Sequence, residues 1–167
     1  MSIQSRLLWW FGAVFLLLGF SIGTGAAEEI GNTGGWGPKS EYNRHYKNSE
    51  RDRIKGVIAN IVEVTPLPGM SPGVALVVND SEGEKVTVHL APKWYEEAHP
   101  SGLRKGDQVK IKGVWAEIGG REIFMAAKVK WNETEEYKVR KTKDGKPFWA
   151  MGKEEYTKET AEADTED

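Results

Sequence analysis

Between Lys85 and Trp115 an alternating strand, a short aromatic helix, a Gly-Leu-Arg-Lys-Gly-Asp turn and a second alternating strand follow one another with no spacer. That order points to a small closed β-barrel. A barrel of this size fills its interior with its own side chains, which leaves the outer face and the loops for recognition.

The other strands are read from the same alternation. Arg53 to Val64 carries apolar residues in both phases, with Ile54, Ile58, Val62 and Val64 in one and Val57, Ala59 and Ile61 in the other. It is expected to be a long, bent strand covered on both sides. The loop Thr65 to Gly73 holds three prolines and leads into Val74–Asn79, and Asn79-Asp-Ser-Glu-Gly83 makes a hairpin turn into Lys85–Leu90. There Val86, Val88 and Leu90 point inward and Lys85, Thr87 and His89 outward. Pro92 opens a helix to His99, because proline suits a helix's first turn, and Pro100 and Gly102 end it. The fourth strand puts Val109, Ile111 and Trp115 on one side; Gly119 and Gly120 reverse the chain into a fifth in which Ile123, Met125, Ala127, Val129 and Trp131 share one phase. Tyr137–Thr142 and Pro147–Ala150, joined by an Asp-Gly turn, read as one more hairpin.

Outside the barrel the chain has three other parts. Leu7 to Gly23 is apolar, preceded by Arg6 and followed by Thr24-Gly-Ala-Ala27, so residues 1–27 read as a signal peptide or an N-terminal membrane anchor, and the rest is expected to be exported. Residues 28–51 are glycine-rich and read as a flexible linker, whose Trp36, Tyr42 and Tyr46 are expected to dock back on the barrel. Residues 52–152 form the barrel domain with its hairpin. Residues 153–167 hold seven acids against Lys153 and Lys158, which predicts an acidic, disordered tail and leaves the barrel close to neutral. The chain has no cysteine, so disulfides, thiolate metal sites, a cysteine nucleophile and thioether haem attachment are excluded together.

Three strands, a short helix and two strands resemble the OB-fold, over roughly Arg53 to Trp131. The most similar local piece is Gly102-Leu-Arg-Lys-Gly-Asp-Gln-Val-Lys-Ile-Lys-Gly113. The expected fold class is all-β: a five-stranded Greek-key OB-fold barrel with a short helix between strands three and four, plus the C-terminal hairpin. An export segment before such a domain is similar to small exported OB proteins of the bacterial envelope, and to the periplasmic haem chaperone of cytochrome c maturation. That chaperone holds haem through a histidine followed four residues later by a tyrosine, near the end of its barrel. Here no histidine follows His99, and neither His89 with Tyr95 nor His45 with Tyr46 has that spacing.

No nucleophile motif, phosphate loop or carboxylate pair assembles in the sequence, so no catalytic residue, no cofactor and no metal site are assigned. The three histidines lie on separate elements without a ligand spacing. Strands two and three offer no outward aromatic for stacking bases, which argues against nucleic acid as a partner. The expected contact surface is the loop residues Pro68 and Met70, the strand residues Lys85, Thr87 and His89, and the turn Gly119, Gly120 and Arg121. These point to a non-catalytic periplasmic binding or assembly module for an exported or envelope protein, or for a small ligand. Its membrane contact would be limited to the N-terminal segment. A carrier for a redox cofactor such as haem is the alternative.

Overall fold

The computed structural model describes residues 32–132 and 134–162; the signal peptide or anchor expected over 1–27 and the end of the expected tail, 163–167, lie outside the described residues. Six strands form one sheet: β1 (Arg51–Val64), β2 (Gly73–Asp80), β3 (Lys85–Pro92), β4 (Gln108–Ile118), β5 (Arg121–Trp131) and β6 (Glu135–Lys138). Their order is β3-β2-β1-β4-β5-β6, and every neighbouring pair is antiparallel. A further parallel pairing of β3 with β5, at Val88–Phe124 and His89–Met125, closes the first five strands into a ring. Helix α1 (Lys93–Ala98) follows β3, and a second helix, α2 (Lys153–Ala161), follows the last turn. Among the described residues no helix is long and apolar enough to cross a membrane.

The inside of the ring is one apolar core. Ile54 and Ile58 of β1, Leu76 and Val78 of β2, Val86, Val88 and Leu90 of β3, and Val109 and Ile111 of β4 meet there, with Tyr95 of α1 and Leu103. Pro92 stands at the N-cap of α1, and the backbone N–H of Lys93 donates to the carbonyl of Pro72, which fixes the helix over that end of the ring.

Two bulges explain where alternation alone misleads. In β5, Lys128 pairs with Lys112 but Ala126 already pairs with Gly113, so Ala127 is the inserted residue. A single extra residue exchanges the two faces of a strand. Phe124 and Ala126 therefore face the inner core before the bulge, and Val129 and Trp131 face it after, while Ile123, Met125 and Ala127 point outward. The single phase expected for β5 is thus split. A Cβ on Gly113, opposite the bulge, would collide with the carbonyl oxygen of Met125, so only glycine allows this close crossing. In β1 the inserted residue is Ala59, and the expectation of cover on both sides fails there: Val57 and Ile61 stay exposed.

The outward residues of β5 are buried because the chain wraps a second core over them. Composition predicts a flexible linker over 28–51, yet its described part, residues 32–50, packs: Trp36 and Tyr42 are fully buried and Tyr46 nearly so, against Val114, Ile118, Ile123 and Met125. The docking expected of these aromatics holds. Large aromatic area outweighs the conformational freedom of the glycines between them. Two short 3-10 turns, Tyr42–His45 and Asn48–Glu50, lead this segment into β1.

The C-terminal hairpin is reduced. β6 adds to β5, after which only one bridge, Arg140 with Pro147, remains, and Phe148–Ala150 forms a 3-10 turn. The disorder expected over 153–167 also does not hold for 153–161, which form α2. Its ordering comes from ion pairs, Lys141 with Glu159 and Lys146 with Glu155, both at 2.6 Å, and from Tyr156 packed edge-on against Phe148.

Candidate functional site

The residues singled out from sequence are dispersed. Pro68, Lys85, Gly119, Gly120 and Arg121 are exposed, Thr87 is half-buried, and Met70 is half-buried against the second core. Gly119 and Gly120, both at positive φ (58° and 73°), make the two-residue turn that joins β4 to β5. His89 points away from the inner core as expected, but it is covered: it is 5 % exposed, beneath the N-terminal segment. Around His89 the expected contact surface is filled by the chain's own aromatics.

His89 belongs instead to a buried polar cluster. The Tyr42 hydroxyl and His89 Nδ1 share a hydrogen bond at 3.3 Å, with the rings stacked. Beside them lies Arg140, wholly buried, whose Nη1 donates to the carbonyls of Leu90 (3.0 Å) and Ala126 (2.7 Å). Its guanidinium sits 5.0 Å from the Trp149 ring and 5.8 Å from that of Tyr42. Burial, then the charge of Arg140, pushes His89 down from 6.5 to about 4, while burial raises the Tyr42 phenol to about 12. Leu90 and Ala126 lie just beyond the two parallel pairs of β3 and β5, so the guanidinium continues the ring closure where backbone pairing stops.

A pH dependence follows. The unfolded chain takes up the His89 proton near 6.5 and the folded chain only near 4. Folding stability is therefore full above about 6.5 and falls as pH drops towards 4, by on the order of 2–3 kcal/mol. Urea unfolding at the two ends of that range should show the loss, and His89→Gln should remove most of it. An equal loss in the substituted chain would place the titration elsewhere.

The main electrostatic feature lies on the outer face of β1, β4, β5 and β6, beyond the edge of the second core. Arg53, Lys112, Lys128 and Lys138 stand directly opposite one another across the four strands. Two residues along, Lys55, Lys110, Lys130 and Glu136 form a parallel row. Residues i and i+2 of a strand share a face, so seven cations and one acid occupy one patch. Glu136 lies 3.4 Å from Lys138, 3.8 Å from Lys130 and 3.9 Å from Lys128. Burial and the neighbouring lysines pull Lys128 down to about 8, against the opposing pull of Glu136.

At one end the patch deepens into a cavity of about 270 Å³. Lys112, Lys128 and Lys138 line it from the strands, Arg140, Lys141 and Lys143 from the following loop, and Glu159 and Glu162 from α2 and the residue after it. Lys138 Nζ donates to the backbone carbonyls of Glu159 (3.1 Å) and Glu162 (2.7 Å) at the helix C-terminus. Chemically this is a cationic surface partly met by the chain's own acids and carbonyls. Summed over the whole barrel the charge is close to neutral, and the sum conceals this surface. The signal was a repeated cation-aliphatic-cation triplet, Arg53-Ile-Lys55, Lys110-Ile-Lys112 and Lys128-Val-Lys130.

Among the described residues no group of histidines and carboxylates is placed to hold a metal ion. Residues 50–136, just over half of the chain, match the model of the MamS/MamX magnetosome protein family; they run from the start of β1 into β6 and carry both rows of the cationic patch except Lys138. No curated protein matches the chain.

Proposed function

The chain belongs to the MamS/MamX magnetosome protein family, and from that membership we infer that it is a non-enzymatic assembly module of the magnetosome, acting by recognition of another protein. The observation that carries this reading is the overlap between the family match and the closed strand ring with its cationic face. We further propose that the ring is an OB-fold. Supporting this, β1 pairs with both β2 and β4, β3 meets β5 in parallel, and a short helix lies between β3 and β4. The apolar run Leu7–Gly23 supports export, so that the domain works on the extracytoplasmic side.

The carrier reading loses its best candidate. His89, one of the histidines weighed for that role, is 5 % exposed and lies beneath Tyr42 of the N-terminal segment, with no open face for a ligand to approach. The test is to isolate the tagged full-length protein from its own cells, fraction by fraction, and identify what accompanies it by mass spectrometry. A stoichiometric partner in the magnetosome fraction is the expected result. Isolation of the protein alone, or with a turnover that one substitution abolishes, would sink the reading.

A further inference from the structure

We propose that the uncharged rim at one end of the ring, made by residues 32–38 and 65–73 with Trp94 of α1, rests on a lipid bilayer. This goes beyond the assembly reading, and it rests on Leu7–Gly23 staying attached as a membrane anchor.

Position is the first argument. The described chain starts at Asn32 against the loop 65–73: the backbone N–H of Ser71 donates to the carbonyl of Gly34 at 2.8 Å, and Trp36 Nε1 donates to the carbonyl of Ser71 at 2.9 Å. The carbonyl of Pro72 accepts from the backbone N–H of Lys93, which sets the start of α1 beside the same loop. Lys93 Nζ meets Glu63 Oε2 at 2.6 Å and ties α1 to the end of β1. Only residues 24–31 separate Asn32 from the apolar run, and even fully extended they reach about 30 Å. An anchor in the bilayer therefore keeps this end of the ring close to the membrane. The β2–β3 turn, about 23 Å further along β2, has the longer reach to make.

The second argument is composition. Residues 32–38 and 65–73 carry no charged side chain, in a chain of which 29 % is charged. Asn32, Thr65 and Pro68 are exposed, so burial is not what keeps charge out of these positions. Pressing a charge against lipid costs its hydration, and this rim has none to strip.

The third argument is the exposed aromatic. Trp94 is 40 % exposed, and Ile61, two residues before the Glu63 that meets Lys93, is 38 % exposed. Val57 is as exposed, but it pairs with Asn79 towards the opposite end of β2 and takes no part. An indole ring with one apolar body and one polar N–H is at home at the membrane–water interface. Tyr95 braces that of Trp94 edge-on at 6.2 Å. Lys93 and Glu97, exposed on either side of it along α1, stop the ring from sinking, so contact is made at head-group depth.

The chain has no cysteine, so a single thiol reports from one chosen place. Full-length Pro68→Cys and Trp94→Cys, each carrying a thiol-linked fluorophore, are reconstituted in phosphatidylcholine nanodiscs containing a lipid with a nitroxide head group. Glu82→Cys, in the β2–β3 turn, is the reference, and melting temperatures check the fold. We expect quenching at 68 and 94 to exceed that at 82 by about threefold or more, and to be the same at roughly 50 and 500 mM salt, because the rim carries no charge. Quenching at 68 and 94 no greater than at 82 overturns the proposal. So does shielding of both sites from iodide in native membranes without quenching in nanodiscs, which would mean that a protein covers the rim. If Trp94→Cys fails to fold, Ile61→Cys takes its place. The intact mass of the protein isolated from its own cells tests the anchor separately: loss of residues 1–27 defeats this inference and leaves the assembly reading standing.

Discussion

Arg140→Ala should lower the stability of the protein by about 3 kcal/mol or more, read by urea unfolding followed by circular dichroism. Two carbonyls, of Leu90 and Ala126, lose a donor that carries charge, each such bond contributing roughly 1.5–3 kcal/mol. The truncation also empties the space between Tyr42 and Trp149. Part of this loss is offset, because among the described residues no carboxylate hydrogen-bonds to the buried guanidinium, so the charge is costly to bury. Arg140→Met separates the two effects. It keeps most of the volume and removes the charge, and should recover part of the loss but not all. Hydrogen exchange adds a local readout: the β3–β5 seam should lose protection before β1 and β2 do. A loss below about 1 kcal/mol in the alanine variant would mean that the ring closes without the guanidinium.

Trp36→Ala should be at least as damaging, at about 3–5 kcal/mol, enough to lower the melting temperature by roughly 10 °C or more. Trp36 is fully buried and joins three parts of the chain. Its Nε1 donates to the carbonyl of Ser71 at 2.9 Å, its own carbonyl accepts from Trp149 Nε1 at 2.7 Å, and its ring meets Tyr42 edge-on at 4.8 Å. The ring also lies against Gly73, where a Cβ would overlap it. Removing it frees the segment over His89 and exposes Met125 and Val114, so the variant should also bind hydrophobic dyes. A melting temperature within a few degrees of the original would show that the second core is an ornament of the sheet.

These two residues mark where sequence reasoning stops. The strands were legible because each inner-core residue sits two along from the next, and Val86, Val88 and Leu90 declare their face without help. The short helix was legible because Pro92 and Gly102 bracket a stretch too short for any other role. What the pattern hides is a face that changes within a strand: Ala127 looks like any other alternating residue until its partner strand shows it unpaired. The second core was hidden for a different reason. Its aromatics are separated by glycines, a spacing with no period, and only tertiary contact tells a docked segment from a linker. Arg140 could not be foreseen as buried, since nothing near it in the chain neutralises its charge; its acceptors come from β3 and β5.

The functional surface shows a similar split. His89 was rightly placed on the outer side of β3, but the N-terminal segment that covers it belongs to a different part of the chain. The cationic rows were readable as triplets within single strands, yet their alignment into one face depends on register: Arg53 opposite Lys112, Lys112 opposite Lys128, Lys128 opposite Lys138. Register is a tertiary property and no single strand carries it.

The central proposal is that this magnetosome-family protein works by recognising another protein. It is tested most directly by isolating the tagged full-length protein from its own cells and quantifying by mass spectrometry what accompanies it. The account predicts a stoichiometric protein partner in the magnetosome fraction. Isolation of the protein alone from that fraction would contradict it.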